Sequence, residues 1–288
     1  MTEVRSPNQA NDALPVMETP YVPPPPVGPR ARMTRLHIYH PFTWLARGWD
    51  DMRHEPVIAL VYGVCFWFMA LVLSLVFRHN PEYTLSIVSG CLLVGPFLAM
   101  GLYEVSRRRE QGLKPQLGVS LTCWDNHLRS MSMLVLVLMV IELLWGRASL
   151  VVFAVFFNTG MPSTTGVIEA IFNPENLDFV LVYTAVGGAF AGLVFSTAVV
   201  SIPMILDRDT DAITAAITSL RVVFSNPLTM ITWGGLISTM VVLSLSPWSP
   251  WSLGIVIVGP LLGHASWHAY RASVQWEEEQ NPSASDQG

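Results

Sequence analysis

Apolar runs of about 20 residues recur along this chain, and they constrain its fold more than any motif does. Wound as a helix, about 22 residues extend for about 33 Å, enough to cross the roughly 30 Å hydrocarbon core of a bilayer. Six segments qualify, at about 57–77, 84–105, 131–157, 179–206, 228–246 and 251–270. Lipid supplies no hydrogen-bond partner, so a segment inside it must satisfy its own backbone, as a helix does. Strands of a membrane barrel would alternate in polarity, and these runs do not. Only 13% of the residues are charged, against about a quarter in soluble domains. The expectation is an all-α membrane protein with six transmembrane helices in the lipid bilayer.

The two ends read differently. Residues 1–35 carry YVPPPPVGPR, which favours an extended polyproline form, so this stretch is expected to be a disordered cytoplasmic arm. It has no short apolar core followed by small residues, and no export signal is expected. Residues 36–275 form the expected six-span domain, and 276–288, WEEEQNPSASDQG, an acidic disordered tail. Of the 16 Lys and Arg residues, 14 fall on one side of the expected spans. Basic residues beside spans stay cytoplasmic, which puts both termini in the cytoplasm. Cys65 and Cys91 lie inside spans and Cys123 precedes one, so no disulfide framework or CxxC pair is present.

The spans contain a repeat. VGPFLAMGLYEVSRR from Val94 and VGPLLGHASWHAYR from Val258 share the Gly-Pro pair, an aromatic residue seven after the Pro and an Arg eleven after it. SIPMILDRDTD from Ser201 is a weaker third copy. Upstream, Pro56 precedes Gly63 by seven residues, as Pro227 precedes Gly234. Each pair of spans follows a stretch with one apolar face: Phe42, Leu45, Trp49 and Met52; Leu117, Leu121, Trp124 and Leu128; Ile213, Ile217, Leu220 and Phe224. Such a face suits a helix lying in the membrane interface, or else a cytoplasmic helix packed on its neighbours. The expected unit is an interfacial amphipathic helix plus a helical hairpin, used three times in parallel around an axis along the membrane normal.

WLARGWDDM, GPFLAMGLYEVSRRREQG, PMILDRDTDA and GPLLGHASWHAYR together resemble an uncharacterised bacterial integral membrane family. That family carries a domain of unknown function, and its members are sometimes labelled as cytochrome c oxidase subunits. The resemblance spans about residues 35–275. It implies a six-span protein of the bacterial inner membrane, with a respiratory complex as a possible membrane-protein partner, and it supplies no catalytic residues.

Aligned on their prolines, the three copies place Met100, Asp207 and His264 at the fourth following position and Glu104, Asp211 and His268 at the eighth. Around a shared axis, Glu104, Asp207, Asp211, His264 and His268 would form a polar ring suited to a divalent cation. The alternative is that each helix simply turns polar where it leaves the membrane. A haem held between facing spans is not expected, because only span six contains histidines.

Glu142, deep in span three, is a candidate by position, since an intramembrane acid is costly unless neutral or paired. Arg147 lies five residues on, about 140° around the helix, and is poorly placed to pair with it. Gly188 and Gly192 have the spacing that admits a neighbouring helix closely. The Gly-Pro pairs should bend spans two and six. No Walker loop, HExxH, GxSxG or basic nucleic-acid-binding surface is present. A cofactor, an enzymatic activity and a nucleic-acid partner are therefore not expected. Three readings stay open: a structural, assembly or accessory factor for a membrane complex; a small-molecule or ion transporter; and an accessory cytochrome c oxidase subunit.

Overall fold

A computed structural model of the chain describes residues 30–79, 84–157, 176–245 and 252–277. Most of the expected arm and tail, and the loop 158–175, lie outside these residues. The chain divides into two units, Met1–Arg30 with Trp276–Gly288, and Ala31–Gln275. Of the first, only Arg30, Trp276 and Glu277 are described.

The second unit is helical. It runs through α1 (His40–His54), α2 (Pro56–His79), α3 (Thr84–Glu110), α4 (Leu117–Thr122), α5 (Leu128–Phe156), α6 (Leu177–Ala198), α7 (Ser201–Arg208), α8 (Ala212–Ser225), α9 (Pro227–Leu245) and α10 (Ile255–Ser273). Two short strands, β1 (Arg30–Met33) and β2 (Val274–Glu277), form a two-stranded sheet. Thr34 then donates its backbone N–H to the Ser273 carbonyl at 3.0 Å, which continues the pairing by one residue.

Among the described residues, four stretches are long and apolar enough to cross a membrane: Pro56–Val76, Leu117–Phe156, Leu177–Arg208 and Pro227–Leu245. Only 22% of the apolar window in the first is buried inside the protein, so most of its side chains need a surrounding other than water. Leu136, Leu144 and Val151 on α5, and Ile231 and Val242 on α9, face outward in the same way. The expected second and sixth spans, in α3 and α10, are not among the four. Both spend their last turns on polar groups, with Arg107 to Arg109 in one and His264, His268 and Arg271 in the other. The expected fourth span is among the four, although within it α6 stops at Ala198 and a turn precedes α7.

Two junctions share one geometry. Glu55, between α1 and α2, has φ −123° and ψ 58°; Asn226, between α8 and α9, has φ −134° and ψ 55°. Each precedes a proline, and the proline ring keeps the residue before it out of the helical region. The amphipathic helix must therefore end there, and Pro56 or Pro227 opens the long helix, where its missing N–H costs nothing.

Glycine decides how closely the helices approach at several contacts. A Cβ on Gly48 of α1 would stand 2.7 Å from the Ala265 nitrogen of α10. One on Gly63 of α2 would overlap the Val256 carbonyl, one on Gly101 the Tyr62 ring, and one on Gly263 the Leu102 side chain. Thus α1, α2, α3 and α10 lock together backbone to side chain, around the buried Ile58, Tyr62, Leu102 and Val105. By contrast, Gly188 and Gly192 have nothing within 4 Å of an added Cβ, so their spacing admits no helix among the described residues. Substituting Gly63→Ala should destabilise the protein by about 1–3 kcal/mol through overpacking, while Gly188→Ala should be neutral or slightly stabilising. Thermal unfolding of the detergent-purified protein separates the two, and equal midpoints would refute the close α2–α10 contact.

Candidate functional site

A knot of polar side chains is buried where α1, α3 and α10 meet, and Asp51 is at its centre. One turn of α1 separates Trp44 from Gly48 and another brings up Asp51, so all three share the inward face. Asp51 is 5% exposed. Its Oδ2 accepts hydrogen bonds from Ser106 Oγ at 2.6 Å and His268 Nε2 at 2.8 Å, and its Oδ1 from Arg109 at 2.9 Å. Arg109 also reaches Asp50 at 2.6 Å. Burial alone would raise the Asp51 carboxyl, but the hydrogen bonds from His268 and Ser106 outweigh it and hold the group below its ordinary 3.8.

Ser106 lies 2.8 Å from Nδ1 of His264, which is fully buried. A hydroxyl has one proton to give. With Asp51 ionised, that proton goes to Asp51, and His264 donates from Nδ1 to the Ser106 oxygen. His264 Nε2 then carries a bare lone pair, and it has no partner among the described residues. Beside this chain a pocket of about 290 Å³ opens, lined by Arg47, Asp50, Asp51, Ser106, Arg109, Glu110 and His268.

The expected ring does not close. His264 and His268 come together through Ser106 and Asp51, but the other three residues are engaged elsewhere. Glu104 is held on its own helix by Arg107 at 2.6 Å and Arg108 at 3.0 Å. Asp207 accepts from the Tyr270 hydroxyl at 2.7 Å. Asp211 caps α8, accepting from the backbone N–H of Ile213 at 3.0 Å and Thr214 at 2.9 Å. Bonding with Thr214 keeps its carboxyl below the ordinary value.

The cause is local. In the copies at Pro96 and Pro260 the helix continues past the eighth position, whereas α7 ends at Arg208 and Asp209 after it lies in the left-handed region at φ 49°. The chain turns there, and Asp211 becomes the start of the next helix. Among the described residues, no group of three or more His, Cys, Asp and Glu side chains is placed to hold a metal ion.

Glu142 and Arg147 separate as their spacing requires. Glu142 is buried and Arg147 exposed. Glu142 lines a cavity of about 950 Å³, shared with Trp145, Phe190, Ser196, Phe224 and Met230. Asp51, Ser106, Arg109 and Glu110 were not singled out by sequence. For Asp51 a signal exists, since it lies on the Trp44 and Gly48 face; the apolar residues taken to define α1, Phe42 and Trp49, point outward instead.

Replacing Asp51 by Ala leaves Ser106, His268 and Arg109 without their acceptor, and should cost about 3–5 kcal/mol of stability. Because its folded value is lowered, Asp51 contributes its full stabilisation above about pH 4, where it is ionised in both states, and loses it as pH falls through the folded value. Asp51→Asn should flatten this acid limb in a series of unfolding scans. A limb identical to the parent's would show that Asp51 does not titrate with folding.

Residues 84–207 match the model of a family described as "Predicted integral membrane protein (DUF2189)". No curated protein and no solved structure matches the chain. The matched stretch runs from α3 through α7, and so covers Ser106, Arg109 and Glu142 but neither Asp51 nor the two histidines. With that match and its outward-facing apolar helices, the chain is an integral membrane protein, similar over residues 84–207 to a family of uncharacterised membrane domains.

Proposed function

We propose that the chain is a six-span protein of the bacterial inner membrane, with both termini cytoplasmic, that acts without catalysis as a structural, assembly or accessory factor for a membrane complex. The observation that carries this reading is the Asp51 knot. The ionisable groups nearest to a ligand-like arrangement are turned on one another across α1, α3 and α10, where they fix helix against helix. Exposed apolar residues on the amphipathic helices support the membrane setting: Phe42 and Trp49 on α1, and Ile213, Ile217 and Phe224 on α8. The matching elbows before Pro56 and Pro227 favour a repeated unit, to which α4, α5 and the broken α6–α7 pair would be the divergent third member. The resemblance of the sequence points to a respiratory complex, such as cytochrome c oxidase, as the partner.

If so, deleting the gene or introducing Asp51→Ala in a bacterium that encodes it should lower the amount of one intact respiratory complex, and Asp51→Glu should restore part of it. Native gel electrophoresis of the membranes, followed by activity staining, reads the outcome. An unchanged set of complexes in the deletion strain would end the reading.

A second reading, of a small-molecule transporter, is favoured by the cavity at Glu142. A buried acid beside a space of about 950 Å³ is an arrangement that binding sites in membranes use. In proteoliposomes, uptake of a transported compound should then fall at least tenfold on Glu142→Gln. Uptake equal to that of the parent would remove Glu142 from any transport path.

A further inference from the structure

A groove of about 480 Å³ lies between α2, α3, α4 and the start of α5, and it shares no lining residue with the Asp51 pocket or the Glu142 cavity. Its volume falls in the range of about 300–1,000 Å³ typical of small-molecule sites. The buried Tyr62 and Ser120 line it together with Phe97 and Trp124, whose rings meet edge to face with centroids 5.7 Å apart. Val94, Leu121 and Leu128 line it too and are exposed, so the groove opens outward.

The wall limits what can enter. Each polar donor in it is already spent within the protein: the Tyr62 hydroxyl on Ser120 Oγ at 3.1 Å, the Ser120 hydroxyl on the Leu117 carbonyl at 2.9 Å, and Trp124 Nε1 on the Leu121 carbonyl at 2.8 Å. No described wall residue is an acid, a base or a histidine. An anion or a sugar in the groove would give up its hydration without finding a donor, and a metal ion would find no ligand set. The groove therefore takes an apolar body and leaves any polar part outside.

A cation stands next to it. Arg129 follows the lining residue Leu128, and on α5 it heads a stripe with Met133, Leu136 and Val140, four, three and four residues apart, all exposed. That stripe belongs to a stretch long enough to cross the membrane, so Arg129 sits at the end of a lipid-facing surface. Trp124, half-buried beside it, is a residue type that settles at the level of the headgroups. The Arg129 side chain makes no ion pair or hydrogen bond among the described residues, not even with Asp125 four residues before it. Lys114, three residues before α4, is likewise exposed and unpaired among them, so two cations face one free acid. Glu104 is already held by Arg107 and Arg108, and Asp209 by His127 at 2.9 Å.

We propose that this groove is a binding site for an anionic phospholipid, one acyl chain lying against Phe97 and Trp124 and the phosphate meeting Arg129. A phospholipid of this kind matches both parts of the site, since its chain asks for no donor and its headgroup supplies the charge that the exposed guanidinium lacks. The proposal rests on the membrane setting of α4 and α5 and not on a role in a complex. A chain that holds the lipid while its deletion leaves every respiratory complex unchanged would fail that reading and keep this one.

The test is native mass spectrometry of the delipidated, detergent-purified full-length chain, titrated with dipalmitoyl phosphatidylglycerol and, separately, with the phosphatidylcholine of the same chains. One saturable phosphatidylglycerol per chain is expected, held about fivefold more tightly than phosphatidylcholine, with Arg129→Gln removing that preference. Val94→Trp, which fills the groove from α3 and leaves the arginine in place, should abolish the tight site, and glycerophosphoglycerol without acyl chains should fail to compete. Equal binding of the two lipids, an unchanged preference in Arg129→Gln, a tight site that survives Val94→Trp, or displacement by the chain-free headgroup overturns the proposal. Should Val94→Trp not elute as a single folded species, Leu121→Trp fills the groove from α4 and decides in its place. A self-associated chain that separates on filling the groove and binds no phosphatidylglycerol overturns it as well, and assigns the groove to a second copy.

Discussion

The arrangement of α1, α3 and α10 depends on one buried carboxylate. Asp51 would be expensive to desolvate alone, and it is tolerated because Ser106, Arg109 and His268 come from two other helices to meet it. Those donors reach it only because Gly48 lets α1 lie directly against the Ala265 backbone. The polar and the steric constraint are therefore one constraint. A side chain at position 48 would lift Asp51 away from its donors, and loss of the carboxylate would leave the close approach with three unsatisfied groups.

Periodicity and prolines made the helical class and the element order readable, since apolar runs of fixed length have few solutions in lipid. They also made the amphipathic helices readable as elements, with an apolar face expected toward the membrane interface. On α1, Phe42 and Trp49 of that face point outward, and the inward face consists of Pro41, Trp44, Gly48 and Asp51. That inward face is selected by size and hydrogen bonding, which apolar spacing alone does not reveal.

The candidate site was readable in part. Its two histidines stand out in the sequence, and the structure places both at the knot. Their partners were hidden, for Ser106 and Asp51 are ordinary residue types whose roles arise from contacts 158 and 217 positions apart in the chain. Copying the register of one repeat onto the next misplaced Asp211. The third copy breaks its helix at a left-handed residue, and no alignment on prolines reveals where a helix will stop. Gly188 and Gly192 were read as a contact between helices; Gly192 lines empty space, which a spacing rule cannot distinguish from a contact.

The elbow at Glu55 has a mechanical consequence. A residue held out of the helical region by the proline after it cannot let α1 and α2 merge into one rod. The elbow lets α1 leave the line of α2 and lie against α10, where Gly48 meets the Ala265 backbone and Asp51, four residues before the elbow, meets donors carried by other helices.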